Sequence, residues 1–486
     1  MQSYANNPAF AGFFKPTRYE ADVYDCEVYG EIPKDLVGTL YRVQADPEYI
    51  GAAQGDYPMT GDGQVQMFRF VGGGHVDYKN RYVQTARLKA NRKAYTGQFG
   101  VYRNPTTDKA KGVSASTASA QVVWHGGKLL ALDDAGLPVE LDPNTLATKA
   151  TWTFGSTLPT KTFGARPKVD PKTGELIGYA TEGKGDFSTD IAIYTVSKAG
   201  KLTKTTWLKA PYVGAVHDIA ITPKYVIVPI TGFTTSAERI KAGHPRWGWD
   251  AKLPTVVAVV PRAGGEVRWF KGPSRYAVRT INAVEDGNKV VLTLPVSNAN
   301  PDPMYPNVDG SPVTGQGADT SIRRWTFDLG GSGDAIAEEV VFKGAGFARI
   351  DDRFTGQPAR YVFKGAADAS RPFNEAKGGN LKGRVTNLYQ KVDLTTGQAT
   401  GSYFVGDVQG LQEAVFVPRA DGAAEGDGYL IGVVNNYGER KTDVVIVDAN
   451  ALEKGALATI KLPFRLRPGA HAIWAPVSQV PVAKFA

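Results

Sequence analysis

The chain has 486 residues, 42% hydrophobic and only 21% charged, with 56 Lys and Arg against 48 Asp and Glu for a formal net charge of +8. The excess is spread along the chain without a basic block of the kind that tracks phosphates, and no apolar run approaches the roughly 18 to 20 residues that span a bilayer, so neither nucleic acid nor membrane is expected as a partner. One cysteine, Cys26, excludes an internal disulfide and any cysteine-built metal site, and the five histidines (His75, His125, His217, His244, His471) would nearly all be consumed by a centre built on several imidazoles. The amino-terminal stretch lacks a basic region followed by an apolar one, and a cytoplasmic address is expected.

In chain order, short β-branched and aromatic runs recur between turn signals. They are VGTLYRV (37–43), VQMFRFV (65–71), KLLALDD (128–134), DIAIYTV (190–196), KYVIVPI (224–230), TVVAVVP (255–261), KVVLTLP (289–295), RYVFKG (360–365), GYLIGVVNN (428–436) and DVVIVDA (443–449). Polar turns such as VGGGH (71–75), VDPKTGE (169–175), SKAGK (197–201) and DLTTGQ (393–398) have the composition of antiparallel hairpins. Helical patterning is nearly absent, SAERIKAG (236–243) being the exception, and the Pro/Gly/Asn-rich segment 295–319 reads as a long loop over a binding face. Glycine and proline are scattered and form no linker, so the chain is read as one all-β domain over residues 1–486. Many short strands in a chain too long for one sandwich favour a radially repeated sheet, a β-propeller.

Several strings, taken together, resemble the carotenoid cleavage oxygenase superfamily, and most closely its lignostilbene dioxygenase branch. They are EIPKDLVGTLYR (31–42), GDGQVQMFRF (61–70), NRYVQT (80–85), FGARPKVDPKTGE (163–175), VHDIAITPKYVIVP (216–229), RTINAVEDG (279–287) and RPGAHAIW (467–474). The resemblance implies a seven-bladed propeller with a loop and helix cap over a tunnel, whose axis holds one iron on four histidines. It also implies cleavage of an alkene into two carbonyls with oxygen.

At the four ligand positions this chain reads Arg166, His217, Arg279 and His471. A guanidinium stays protonated and offers donors without a lone pair, so it replaces no imidazole. Ligating imidazoles are normally oriented by carboxylates. String matching sets Asp134, Gly346 and Glu413 opposite the three orienting glutamates that the resemblance implies, so the partner for position 279 is lost together with its ligand. Of the pair that holds a phenol in the stilbene-cleaving branch, Tyr102 survives, while Asp133 stands where the branch has a lysine. His125 and His244 read as structural and His75 as exposed.

These residues lead to the expectation of a site without metal or cofactor, its catalytic groups being Arg166, Arg279, His217, His471, Tyr102 and Asp133, with Asp134 and Glu413 behind them. The expected activity is a metal-independent carbon–carbon lyase acting on a lignin-derived phenolic dimer of the phenylcoumaran type, releasing formaldehyde and leaving a stilbene. Asp133 would take the phenolic proton, the arginines would receive the developing aryloxide, and His217 or His471 would serve as base for the second proton. Two other readings stay open: an iron dioxygenase with an altered coordination set, and a propeller that binds aromatic ligands without turning them over. A homodimer is left open as well.

Overall fold

The structure is a computed structural model that describes residues 10–51, 60–302, 304–313, 320–379 and 385–481. Its strands form an all-β, seven-bladed propeller of antiparallel sheets. Each of the ten apolar runs named above forms a strand, and the four polar turns each join neighbouring strands of one sheet. The runs are apolar throughout because both faces of a blade are covered. In the strand Thr255–Pro261, Val256, Ala258 and Val260 enter the core shared with the preceding blade, while Val257 and Val259 enter the core shared with the next. Alternation of period two thus disappears from the letters and is kept in the packing.

The two ends of the chain close the ring. Blade 1 has the order Asp22–Val23, His75–Tyr82, Gly63–Gly72, Gly38–Ala45 and, innermost, the carboxy-terminal strand Ala470–Pro476. Blade 7 has Gln409–Pro418 innermost and the amino-terminal strand Glu27–Gly30 outermost, paired with Ala456–Lys461. One continuous core, including Phe68, Tyr78, Val444, Ile446 and Ile460, fills the space between these two blades.

The helix in SAERIKAG spans Ala237–Lys241, with the Ser236 hydroxyl accepting from the Arg239 N–H. A second helix, Ala86–Ala94, was not expected. Its sequence ARLKANRKA buries only Leu88 and Asn91, so no apolar stripe announces it; what starts it is the Thr85 cap on the Leu88 N–H. The loop 295–319 contributes Asp302, Met304 and Tyr305 to a cavity wall, which agrees with a covering role, while residues 303 and 314–319 lie outside the described residues. Among the described residues no helix is long and apolar enough to cross a membrane.

The blades place their inner ends around one axis. Arg166, His217 and Arg279 lie just before the innermost strands Lys168–Val169, Ala220–Ile221 and Asn282–Asp286 of blades 3, 4 and 5, and His471 lies within the innermost strand of blade 1. Blade 6 is extended inward by Arg349, whose backbone exchanges hydrogen bonds of 2.8 and 2.7 Å with Phe363. In blade 7 a register shift between Leu411 and Ala414 frees Glu413 from the regular ladder.

Because the closing seam is core, Ile460→Ala is expected to cost about 2–5 kcal/mol, as large-to-small changes in packed interiors do. Urea unfolding measures it, and a loss near zero would show that the seam contributes little.

Candidate functional site

Three segments that lead into inner strands are tied together by one buried carboxylate. Asp218 accepts from the Thr280 N–H at 2.8 Å and pairs with Lys168 at 2.8 Å, which fixes the chain beside His217, Arg279 and Arg166. The Tyr179 hydroxyl donates to the His217 carbonyl at 2.6 Å. With these supports Arg166, His217, Arg279 and His471 all line one cavity of about 840 Å³, on whose wall Tyr102, Asp133 and Asp134 also stand.

The two imidazoles are held differently. His217 Nδ1 lies 2.7 Å from Asp134, whose other oxygen accepts from the Ala165 N–H at 2.8 Å. This pairing leaves Nε2 as the ring nitrogen available to the cavity. Burial alone would raise the Asp134 carboxyl, but His217 and Arg103 hold it below the usual carboxylate value. His471 is buried, with Nδ1 at 3.0 Å from Glu413 and Nε2 against the Arg166 guanidinium. Burial, reinforced by the adjacent Arg166 cation, holds His471 well below the ordinary imidazole value, so the ring is neutral. Nδ1 then donates to the carboxylate and the Nε2 lone pair accepts from arginine.

Glu413 is the hub of the axis. It meets His471, Arg279 at 3.2 Å and Arg349 at 3.2 Å. Arg349 also donates to the Ala472 carbonyl at 2.7 Å and pairs with Asp352 at 2.8 Å. Burial, and next the Arg166 cation, push Arg279 down to about 10, which still leaves it charged at neutral pH. The Arg279 guanidinium lies 5.1 Å from the ring centre of Phe347.

Elsewhere on the cavity wall, burial pushes Tyr102 up to about 12, with Arg103 opposing the shift. The hydroxyl therefore stays protonated at neutral pH as a donor. Asp133 does not take the role of base expected for it. Its oxygens accept from the N–H groups of Thr117 (2.5 Å), Ala118 (3.1 Å) and Ala135 (3.0 Å) and from the hydroxyls of Ser116 (3.0 Å) and Thr117 (2.9 Å). Those five donors use every lone pair, and Asp133 shapes the wall instead.

At Gly346, where the sequence has lost an orienting carboxylate, the backbone itself excludes one. The residue has φ +54°, and a Cβ there would meet the Gly365 carbonyl oxygen at 2.0 Å, so the position admits no side chain and cannot stand in for an orienting glutamate. Arg349, three residues on, fills the space in front of Glu413. Sequence reasoning also missed Arg103, Asp302 and Tyr305 on the cavity wall. Arg103 adjoins Tyr102, and the other two sit in the long loop, which is the signal that could have found them. Outside the cavity, His75 is exposed and pairs with Asp25 at 2.8 Å, while His125 is buried against the Gly174 carbonyl at 3.0 Å.

The model of the retinal pigment epithelial membrane protein family matches residues 14–476. The chain belongs to that family, the carotenoid cleavage oxygenases. It is similar to isoeugenol monooxygenase of Pseudomonas nitroreducens, 38% identical over 481 residues that cover 97% of this chain and 98% of that protein. It is also similar to lignostilbene-alpha,beta-dioxygenase isozyme III of Sphingomonas paucimobilis, 36% identical with 99% and 100% covered. The crystal structure of Pseudomonas brassicacearum lignostilbene dioxygenase superposes with a TM-score of 0.93 at 37% identity, covering 98% of this chain and 100% of that one.

These oxygenase relatives overturn the expectation of a non-oxidative formaldehyde lyase, which had also relied on Asp133 as a base. The donors present at the axis decide whether the iron implied by the carotenoid cleavage oxygenase fold can be held. Of the imidazole nitrogens, His471 Nε2 is occupied by Arg166 and both Nδ1 atoms face carboxylates, so His217 Nε2 alone remains. Among the described residues no group of three or more His, Cys, Asp or Glu is arranged to hold a metal ion. As arranged, the residues do not fit a four-imidazole iron.

Two outcomes follow. Gly346→Ala is expected to cost roughly 1–3 kcal/mol from backbone strain together with the clash, read as a drop in melting temperature; an unchanged melting temperature would show that the backbone rearranges freely. Burial would raise Glu413, but His471, Arg349 and Arg279 outweigh it and hold the carboxyl well below its usual value. Stability from a depressed carboxyl is fully present above the unfolded value near 4.3 and is lost as pH falls through the folded one. Acidification from about pH 5 downward is therefore expected to weaken the wild type more steeply than Glu413→Gln, and parallel urea midpoints would contradict it.

Proposed function

We propose that the chain takes a small phenolic aromatic molecule of aryl-alkene shape in its axial cavity and serves a reaction of the oxygenase class for which its relatives are named. The observation that carries the reading is the cavity itself: about 840 Å³, with Tyr102, Arg103 and Tyr305 on one part of its wall and the axial groups on another. A volume of this order suits a ligand of one or two aromatic rings. Tyr102, kept protonated by burial, donates to a phenolic oxygen, and Arg103 beside it favours the ionised form of that oxygen. Relatives named for isoeugenol and lignostilbene support the same substrate class and favour oxygenative chemistry. A second reading, a propeller that binds such molecules without turnover, is favoured by one observation: Arg166 caps the His471 nitrogen that a metal would need.

The test is incubation in air with isoeugenol and with a para-hydroxystilbene, with and without ferrous ion, measuring affinity and aldehyde products together. Saturable binding of both compounds is expected on either reading, with aldehyde products only on the first. Binding without product would select the second reading, and no binding of either compound would overturn both. Tyr102→Phe is expected to weaken binding by about 3- to 10-fold, the effect of one hydrogen bond worth roughly 0.5–1.5 kcal/mol; equal affinity for the para-methoxy analogue and the phenol in the wild type would remove the phenol contact from the account.

A further inference from the structure

We propose that the axis of this propeller is an oxyanion site, at which Arg166 and Arg279 receive the carboxylate of an aromatic acid. The inference rests on the phenolic reading only for the body of the ligand; the site itself is argued from the charges at the axis.

Arg166 is 8% exposed, and among the described residues no carboxylate lies within ion-pair distance of it. Its terminal nitrogens meet the His471 imidazole, which burial and the arginine itself keep neutral, and its Nε has no hydrogen-bond partner. A cation in that position is uncompensated, and an unpaired charge with little access to water is unfavourable. Arg279 is compensated only in part, because its carboxylate, Glu413, is shared with Arg349. The remaining acid of the cluster, Asp352, has a side chain 65% exposed and faces Arg349 alone. Three guanidinium groups thus face two carboxylates, and the surplus positive charge lies on the two arginines that line the cavity.

The other acids near the cavity do not fill the deficit. Asp134 is committed to His217 and the Ala165 N–H, and Asp133 to its five donors. Asp218 is paired with Lys168. Asp302 takes the Tyr276 hydroxyl at 3.2 Å and the Met304 N–H at 2.9 Å; burial raises its carboxyl, His217 and Arg279 oppose that shift, and it forms no ion pair with Arg166 or Arg279. A planar carboxylate suits the Arg279 guanidinium, which gives Glu413 only one N–H, and its single negative charge matches a surplus of one shared with Arg166. The Phe347 ring beneath Arg279 offers the carboxylate's aromatic body an apolar surface.

The test uses pairs of ligands that differ only in charge. Ferulate and isoeugenol share the methoxyphenol and the alkene, and differ by a carboxylate in place of a methyl group; benzoate and benzyl alcohol make the same comparison without a phenol. By calorimetry at neutral pH, ferulate is expected to bind at least about 10-fold more tightly than isoeugenol, and benzoate more tightly than benzyl alcohol, as charge-assisted pairing requires. Both preferences are expected to vanish in Arg166→Gln and in Arg279→Gln. Equal binding of ferulate and isoeugenol by the wild type overturns the proposal without reference to any variant, as does a preference retained in both variants. Inorganic phosphate displacing benzoate as well as ferulate does would overturn the assignment to an aromatic acid. The two readings separate cleanly: isoeugenol binding without a carboxylate preference leaves the phenolic reading standing and sinks the oxyanion site, whereas benzoate binding without isoeugenol binding does the reverse.

Discussion

A single buried carboxylate, Glu413, sits among a neutral imidazole and two guanidinium groups, and the arrangement of the axis follows from it. An unpaired carboxylate in that position would be costly, so the groups around it are fixed by the need to satisfy it. His471 turns Nδ1 toward it, which sets the tautomer and directs Nε2 at Arg166. Arg279 and Arg349 divide its two oxygens between them, and Arg349 locks the arrangement through the Ala472 carbonyl beside His471. The β-bulge at Leu411 to Ala414 places the carboxylate at the axis in the first place. Four blades thereby meet at one acid, and the other axial segments are held by the second acid, Asp218.

The same scaffold that in the family is associated with a metal on imidazoles here carries arginine at two of the matched positions. Closeness to named oxygenases over nearly the full chain and a TM-score of 0.93 describe the frame, which is a statement about blades and loops. Function on a shared fold resides in the site grafted onto it. In this site His217 keeps an ordinary ligand geometry, with its carboxylate behind it and Nε2 forward, while His471 keeps its carboxylate but yields its forward nitrogen to arginine. The axis retains the shape of a coordination centre and has exchanged lone pairs for N–H donors.

How much of this was legible in the sequence depended on the range of the interactions involved. Strands were readable because every blade is covered on both faces, so TVVAVVP and KVVLTLP carry their burial in their letters. The convergence of Arg166, His217, Arg279 and His471, and the nearness of Asp134 to His217 and of Glu413 to His471, were implied by the resemblance to the family's motifs. Hydrogen-bond saturation was not legible. Asp133 looks like a free acid in its string, and only the fold brings the Ser116 to Ala118 segment around it. Gly346 could be matched by letter to a glutamate, yet its positive φ and the Gly365 carbonyl oppose any side chain, a constraint set by a strand nearly twenty residues away. Arg349 was invisible for a similar reason: its meaning lies in reaching a residue of the next blade. The reaction class is corrected by the oxygenase relatives, a comparison that no single string of this chain contains.

The central claim is that the axis is a cluster of guanidinium, carboxylate and neutral imidazole whose forward nitrogen at position 471 is already engaged. Anaerobic calorimetric titration of the purified chain with ferrous ion tests it directly. The account predicts no saturable binding at one ion per chain, because His217 Nε2 alone is left to coordinate. Tight binding at one ion per chain, lost on substitution of both His217 and His471, would contradict it.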